Sequence, residues 1–306
     1  MPSPDLPLRI RIARPSDYKA IARLCRLAVG PGDYVLEILR ETIANRGLFL
    51  AWDKDELAGI THFERCIDGS GWLSMARTDP DWRRHGVALA LQHHIAGYGR
   101  RKGVTFLRLW VLAGNRPSIL ASRKAGFRPI CEAAHVSASL RVTRKLERVP
   151  PLNSMHNNLL GSLLRSPYLA RMNGYFAYRW HFVKASKHLL NILLRNRELY
   201  YDCETAFILT RPEMSFGKPY GSFTPLIGTF AQSLQKIKQV AKALGPVSLG
   251  SYIPYDAHLL RLAQENGYRH DLWAKHCTVF EKNIYPSQPS HARKAQNKPV
   301  CNTHDY

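Results

Sequence analysis

Apolar and polar positions along the first 130 residues follow a strand–helix rhythm. Leu8–Ala13 alternates apolar with basic side chains, the period of two expected of a half-buried strand. Pro15, Ser16 and Asp17 follow, residue types that start helices, and Tyr18–Leu27 then carries its apolar residues at helical spacing. A second helical stretch covers Tyr34–Ile43 and stops near Asn45–Gly47. Leu48–Trp52 and Leu57–Arg65 read as strands around the polar turn Asp53–Glu56. Gly69–Gly71 turns into a further strand, Trp72–Thr78. From Gly86 to Lys102, Val87, Leu91, Ile95 and Tyr98 share one helix face, and Gly103 is the stop. The strand Thr105–Leu112, a helix from Pro117 to Ala125 and a stop at Gly126 complete this half.

The second half is less regular. Residues 145–160 are polar and hold Pro150-Pro151, which predicts a linker over 146–162. Leu163–Arg197 reads as helical and basic. The strand Thr205–Leu209, a helix over Ala231–Leu244, the strand Val247–Ile253, a helix over Asp256–Glu265 and the strand Ala274–Glu281 follow. From Pro286 the chain is rich in Ser, Gln, Asn, Pro, Lys and His, so 286–306 is expected to be a disordered tail. One spacing recurs: Asn115 to Gly126-Phe127-Arg128 returns as Asp256 to Gly267-Tyr268-Arg269, each a helix between two strands. The echo predicts two related lobes, 1–145 and 163–285, although glycine is also a common helix terminator.

Composition narrows the function classes. A chain of 306 residues suits two domains, and 45% apolar with 22% charged residues excludes general disorder. No apolar run is long enough for a membrane-spanning helix. The start, MPSPDLPLRIRIARPSD, lacks the apolar core of a secretion signal, so a cytoplasmic protein is expected. Six cysteines without CxxC spacing predict reduced thiols and no metal site. His93-His94 point in different directions on a helix and read as ordinary histidines. The charge stands out: 44 Lys+Arg against 23 Asp+Glu give +21. It is spread evenly, with +11 in residues 1–150 and +10 in the rest. Such a field suits a polyanion, whether nucleic acid, an anionic membrane surface or a multiply phosphorylated cofactor; it also serves solubility alone.

The most informative segment is TDPDWRRHGVA at Thr78–Ala88. Pro80 ends a strand, and Gly86 and Ala88 remove side chains where a helix begins. The first turn of a helix carries unpaired N–H groups and the positive end of the macrodipole, so a diphosphate can approach. Residues 81–128 hold ten Lys/Arg against Asp81 alone, a local balance of +9 that favours such an anion.

These motifs resemble those of the GCN5-related N-acetyltransferase (GNAT) superfamily over about Leu8–Ile130. The family's phosphate loop, Arg/Gln-x-x-Gly-x-Gly/Ala, is matched by Arg83, Gly86 and Ala88. Its later Asn–helix–Gly-Phe motif is matched by Asn115, Gly126 and Phe127. The resemblance implies an α/β (α+β) GNAT fold, a mixed central sheet flanked by helices, with a second GNAT-like C-terminal lobe. It implies acetyl-CoA as co-substrate, in a V-shaped opening between the strand ending at Thr78 and the strand Thr105–Leu112. Ala76, Arg77 and Thr78 would meet the pantetheine, and a backbone N–H near Arg77 the oxyanion. Arg83, Arg84, His85, Gly86, Val87, Ala88 and Leu89 would surround the diphosphate, with Asn115 nearby. Two departures stand out. Where the family often has a Glu base on the strand before the loop, this chain has Ser74. Where it often has a Tyr acid seven residues after the Asn, this chain has Ser122. A free amine must form before it can attack a thioester, and the remaining candidate bases are His62 and Glu64, on one face of their strand. Each also reads as a half-buried polar residue or a surface ion pair. Ser122 or water is left as the acid.

The whole chain is similar to the histidine N-acetyltransferase-like two-lobe family. The similarity rests on Gly-Asp-Tyr at 32–34, Ser166-Pro167, Leu209-Thr210-Arg211-Pro212 and the final strand–helix–strand. It implies acetylation of a small-molecule amine, the α-amine of a free amino acid, with the second lobe shaping the acceptor pocket. The second lobe lacks a Gly-x-Ala loop, so one cofactor site is expected. Alternative acceptors are tRNA, a protein lysine or a polyamine, the last disfavoured by a +21 chain. A different class is a catalytically degenerate nucleic-acid-binding protein, in which the aromatic basic stretch Tyr168–Lys187 stacks on bases. That stretch also suits an anionic membrane or a packed helix pair. The sequence sets no oligomeric state.

Overall fold

Alternation near the N-terminus becomes an antiparallel meander. A computed structural model describes residues 8–140, 152, 157–202, 204–215, 217–245 and 248–285. β1 (Arg9–Ile12) leads through α1 (Tyr18–Ala28) and α2 (Val35–Ala44) to β2 (Leu48–Asp53), β3 (Glu56–Arg65) and β4 (Gly71–Thr78). α3 (Val87–Arg101), β5 (Phe106–Leu112), α4 (Arg116–Lys124) and β6 (Arg128–Ser139) follow. Past α5 (Asn157–Leu164) and α6 (Pro167–Arg171) come β7 (Tyr175–Tyr178), β8 (His181–Lys184) and α7 (Lys187–Arg195). The chain continues through β9 (Leu199–Tyr201), β10 (Ala206–Leu209), β11 (Glu213–Ser215) and β12 (Lys218–Ile227). It closes with α8 (Phe230–Leu244), β13 (Ser248–Pro254), α9 (Ala257–Glu265), β14 (Arg269–His270) and β15 (Cys277–Asn283).

All strands except β7 and β8 join one mixed sheet, ordered β1-β2-β3-β4-β5-β15-β6-β13-β12-β10-β9. Every pairing on this path is antiparallel except β4–β5 and β12–β13. These two parallel pairs are the repeat seen in the sequence. Asn115 caps α4 and Asp256 caps α9. Gly126 and Gly267 follow the helices at φ 87° and 70°, left-handed values that glycine adopts without strain. Phe127 and Tyr268 are buried behind them.

The two units exchange their last strands. β15, at the end of the second unit, pairs with β5 of the first, while β6 of the first pairs with β13 of the second. β15 also pairs with β6, so the exchanged strands meet at the centre of the sheet. α3 packs on one face of the first unit through Val87, Leu91 and Ile95 against Phe63, Leu73 and Leu107. α1 and α2 cover the other face through Ile21, Leu24 and Leu39 against Leu48, Leu50 and Ile60.

The helical reading of Leu163–Arg197 requires correction. Helix holds in α6 and α7, but an antiparallel ribbon lies between them, with Tyr175↔Lys184 and Tyr178↔His181 as its ends. Asn173 and Gly174 sit at φ 53° and 81°, and Arg179 at 57°, so the chain turns on both sides of β7. All four residues of β7 are buried, which erases the alternation that marks a half-buried strand. β12 was also absent from the sequence reading. It carries two prolines, and Pro225 lies beside a register shift in the β10 pairing, where a missing N–H is tolerated. The last strand begins at Cys277, because Leu272–Ala274 forms a 3-10 turn. The segment read as a linker lies mostly outside the described residues, and its last positions, from Asn157, belong to α5. The tail 286–306 also lies outside them. Cys25, Cys66, Cys131 and Cys277 are buried free thiols, and burial raises Cys25 to about 11 and the other three to about 12.

Candidate active site

β4 and β5 share only the pairs Gly71↔Leu107 and Trp72↔Arg108. A Cβ at Gly71 would lie 2.5 Å from the Phe63 ring and 2.7 Å from Leu107, so glycine permits the close approach at this apex. Beyond it the strands diverge into a wedge. Met75 takes φ 55°, and the β3–β4 register slips between Ile60 and His62, which marks a bulge. A bulge re-aims the backbone amides that follow it. Arg77, just past the bulge, gives one edge of its guanidinium, Nε and Nη2, to Asp33 at 2.7 and 2.6 Å, donates Nη1 to the Ala76 carbonyl at 3.0 Å, and lies over the Tyr34 ring. Its side chain is therefore spent on the α1–α2 loop, and only its backbone can serve a ligand.

β4 leads to a corner whose conformation exposes amides. Arg84 and Gly86 both take left-handed φ, 66° and 80°, with His85 between them. Such alternation forms an anion-binding concavity. Gly86 is the N-cap of α3, without a side-chain cap; α4, α7, α8 and α9 each have one. A Cβ at Gly86 would meet nothing within 4 Å, so the corner is open. Arg84 and His85 are exposed, while Val87 anchors the helix in the core. Ala88 and Leu89, half-buried, complete the first turn. Arg83 donates to the Ala28 carbonyl at 3.2 Å, tying the corner to the end of α1. The corner fits a diphosphate: a helix dipole, no occluding side chain at Gly86, and the backbone N–H groups of Arg84–Leu89, of which, among the described residues, only that of His85 bonds outside the helix, to the Trp82 carbonyl at 3.4 Å. Asn115 accepts from the Ser118 amide at 3.3 Å and so caps α4; with Leu112, Gly114, Tyr255, His270 and His276 it also lines a cavity of about 520 Å³.

The face of β3 and β4 turned toward α1–α2 holds the acid–base groups. His62 Nδ1 lies 3.2 Å from Ser74 Oγ, across the strand pair. Glu64, two residues on, lies 3.2 Å from His181 Nε2 on β8. Burial lowers the pKa of His62, partly offset by the nearby Glu64 charge, so its neutral form is favoured. Burial pushes Glu64 up, but hydrogen bonding and charge from His181, aided by His62 and Arg179, hold it below the ordinary value. Both groups are therefore in base form at neutral pH. Ser122 is the one buried residue of α4. His181, which contacts Glu64 from the second half, and the ion pair Arg179–Glu213, whose charges act on it, were missed by the sequence reading. His181 and Arg179 sit in the Tyr168–Lys187 stretch, whose charges and aromatics were visible but whose ribbon was not, and Glu213 lies on β11.

An aromatic wall continues from this cluster. Trp180 stacks on Tyr220 at 4.7 Å and on His135 at 5.6 Å, and His135 meets Tyr252 and Trp273. His135 Nδ1 is 2.7 Å from Asp271, which its partners hold down to about 2 against the cost of burial. Burial keeps His135 below the usual histidine value despite that carboxylate. Both His135 and His62 thus protonate more readily in the unfolded chain, near pH 6.5. The unfolded state binds more protons just below that pH, so stability is full above about pH 6.5 and is lost as pH falls through the folded values. Denaturant titrations from pH 8 to 5 should show this fall, and His135→Gln should flatten it. A slope that survives the substitution would assign it elsewhere.

Comparison with known proteins now bears on the wedge and corner. The Acetyltransferase (GNAT) family model matches residues 19–127, the span that holds both. Residues 19–127 form a GNAT acetyltransferase domain. A GCN5-related N-acetyltransferase from Sphaerobacter thermophilus superposes with a TM-score of 0.54 at 16% identity, over 93% of this chain and 98% of that one. A glucosamine N-acetyltransferase region of a fungal multi-domain β-N-acetylglucosaminidase gives 0.54 at 12% identity, over 91% of this chain and 38% of that one. At these identities the likeness establishes the fold, and it extends through both lobes. Comparison with curated proteins finds no match. The GNAT domain makes this chain an N-acetyltransferase, and the family generally draws its acetyl group from acetyl-CoA. Among the described residues no helix is long and apolar enough to cross a membrane.

Proposed function

We propose that the protein transfers acetyl from acetyl-CoA to the amine of a small molecule, in the first instance an amino acid. Residues 1–145 would be the catalytic lobe and 163–285 the lobe that shapes the acceptor site. The observation that carries this reading is the position of the β7–β8 ribbon. Phe182 and His181 lie against Trp72, at the wedge apex, and His181 reaches Glu64. The ribbon thus narrows the face on which the candidate bases sit, which favours a small acceptor over a folded protein or tRNA.

The corner amides of Arg84–Leu89 would hold the diphosphate, and Ala76–Thr78 the pantetheine. The bound thioester supplies the acetyl carbonyl carbon. Glu64 or His62 would take a proton from the incoming ammonium and release it to water. The neutral amine then forms the C–N bond as the C–S bond breaks. The proton left on nitrogen is lost, and the sulfur gains one from Ser122 or water. A backbone N–H near Arg77 would face the carbonyl oxygen.

The second wedge supports a single cofactor site. β12 and β13 diverge after Ser222↔Gly250, but the chain's own α6–β7 segment fills the gap. Thr224 donates to the Ala177 carbonyl at 3.1 Å, and Tyr168 to the Gly228 carbonyl at 3.0 Å. The remaining crevice is about 20 Å³, room for about one water. Calorimetric titration should give one acetyl-CoA per chain; two would overturn this assignment. A mass-spectrometric screen of free amino acids, small amines, tRNA and a lysine-rich protein with acetyl-CoA tests the acceptor class. Acetylation confined to the macromolecules would replace this reading. Affinity for nucleic acid that falls steeply with salt, without transfer, would favour the binding-protein alternative.

A further inference from the structure

Arg179 sits at the turn of the β7–β8 ribbon in a conformation that needs support. Its φ is 57°, strained for a residue with a side chain, and its N–H donates to Ser222 Oγ at 2.7 Å. The guanidinium lies over the Tyr178 ring, and Nη1 meets Glu213 at 2.5 Å. Nε is buried and has no hydrogen-bond partner among the described residues. A buried donor on a cation is costly to leave unmade, and the planar fork matches the two oxygens of a carboxylate, the anion a small amine acceptor of the amino-acid type carries.

The surroundings place this donor next to the reaction. Two residues on, His181 bonds Glu64 and lies 5.7 Å from the ring of Trp72, the last β4 residue paired with β5. His62 and Ser74 continue the line toward the bulge. A cation therefore stands at the second-lobe end of the cluster and the candidate bases at the acyl end. An acceptor with an amine and a carboxylate separated by a short chain matches both ends. A plain amine leaves Nε unpaired.

We propose that Arg179 reads the carboxylate of the acceptor, so that the enzyme acts on amines that also carry a carboxylate. This rests on the small-molecule reading above. Its test uses matched pairs, histidine with histamine and phenylalanine with phenethylamine, assayed with acetyl-CoA. Wild type should favour the acid member of a pair. Arg179→Gln should lower the acid-to-amine ratio of kcat/KM about 10- to 100-fold. Glu213→Gln, which releases Nη1 to the ligand, should raise that ratio, and it keeps the test decisive if Arg179→Gln does not fold. Equal losses for both members, or ratios unmoved by either substitution, would overturn the role of Arg179 while leaving small-molecule transfer intact. Wild type that acetylates no member of either pair, and no other small amine, would overturn both.

Discussion

Gly86→Glu is expected to weaken acetyl-CoA binding by about 100-fold or more, with most of the fold retained. Three effects act together. Any side chain at φ 80° carries a left-handed conformational cost, about 1–2 kcal/mol for ordinary L-residues. A carboxylate would stand among the amides of the corner, where it competes with the diphosphate for the same N–H groups and repels it. It would also cap the N-terminus of α3, which no side chain caps in the native chain. Gly86→Asn separates these effects, because Asn tolerates the left-handed region and carries no charge; it should lose much less affinity. The Cβ itself has open space, so neither variant should collapse the core. Calorimetry reads the affinity and circular dichroism the fold. Undiminished binding in Gly86→Glu would remove the corner from the cofactor site.

The second large effect is on stability. Arg108→Met should cost about 3–5 kcal/mol and lower Tm by about 6–20 °C. Arg108 is 2% exposed, and it joins four segments. Its Nε donates to Glu281 at 2.7 Å, and Nη1 donates to Asp68 at 2.6 Å, Ser70 at 2.7 Å and the Phe182 carbonyl at 3.2 Å. Methionine fills similar space but leaves two carboxylates half-desolvated without their cation. The sign of the pH dependence follows. Burial pushes the Asp68 carboxyl up and the Arg108 charge holds it down, so without Arg108 its pKa rises; the deficit is full at neutral pH and shrinks as acid protonates it. Thermal melts of both proteins at pH 7 and pH 5 read this directly. A deficit below about 1 kcal/mol, the range of exposed pairs, would show that the cluster is dispensable.

Both expectations combine local sequence with distant contacts, and the two sources differ in what they reveal. The corner at Arg83–Ala88 was legible because its causes are local: a proline that ends a strand, then a glycine and an alanine where a helix begins. The repeated caps, Asn115 with Gly126 and Asp256 with Gly267, were legible for the same reason. The ribbon was not. β7 is buried throughout and β8 at its two central positions, so the period of two was absent, and Asn173-Gly174 lay inside a stretch read as helical. Glu64 was singled out on strand periodicity alone; its partner His181 lies more than a hundred positions later, and no spacing rule links them.

What the sequence by itself determined is therefore the elements with strong periodicity, their stops, the doubled unit and the open phosphate corner. These depend on backbone preferences and on side chains within a few positions of one another. Only the tertiary structure decided that the last strand of each unit crosses to the other, that α6 and β7 fill the second wedge, and that Arg179 and His181 face Glu64. Those outcomes follow from which buried surfaces and unpaired polar groups complement one another across the folded chain. That complementarity is a property of three-dimensional packing, and linear spacing does not carry it.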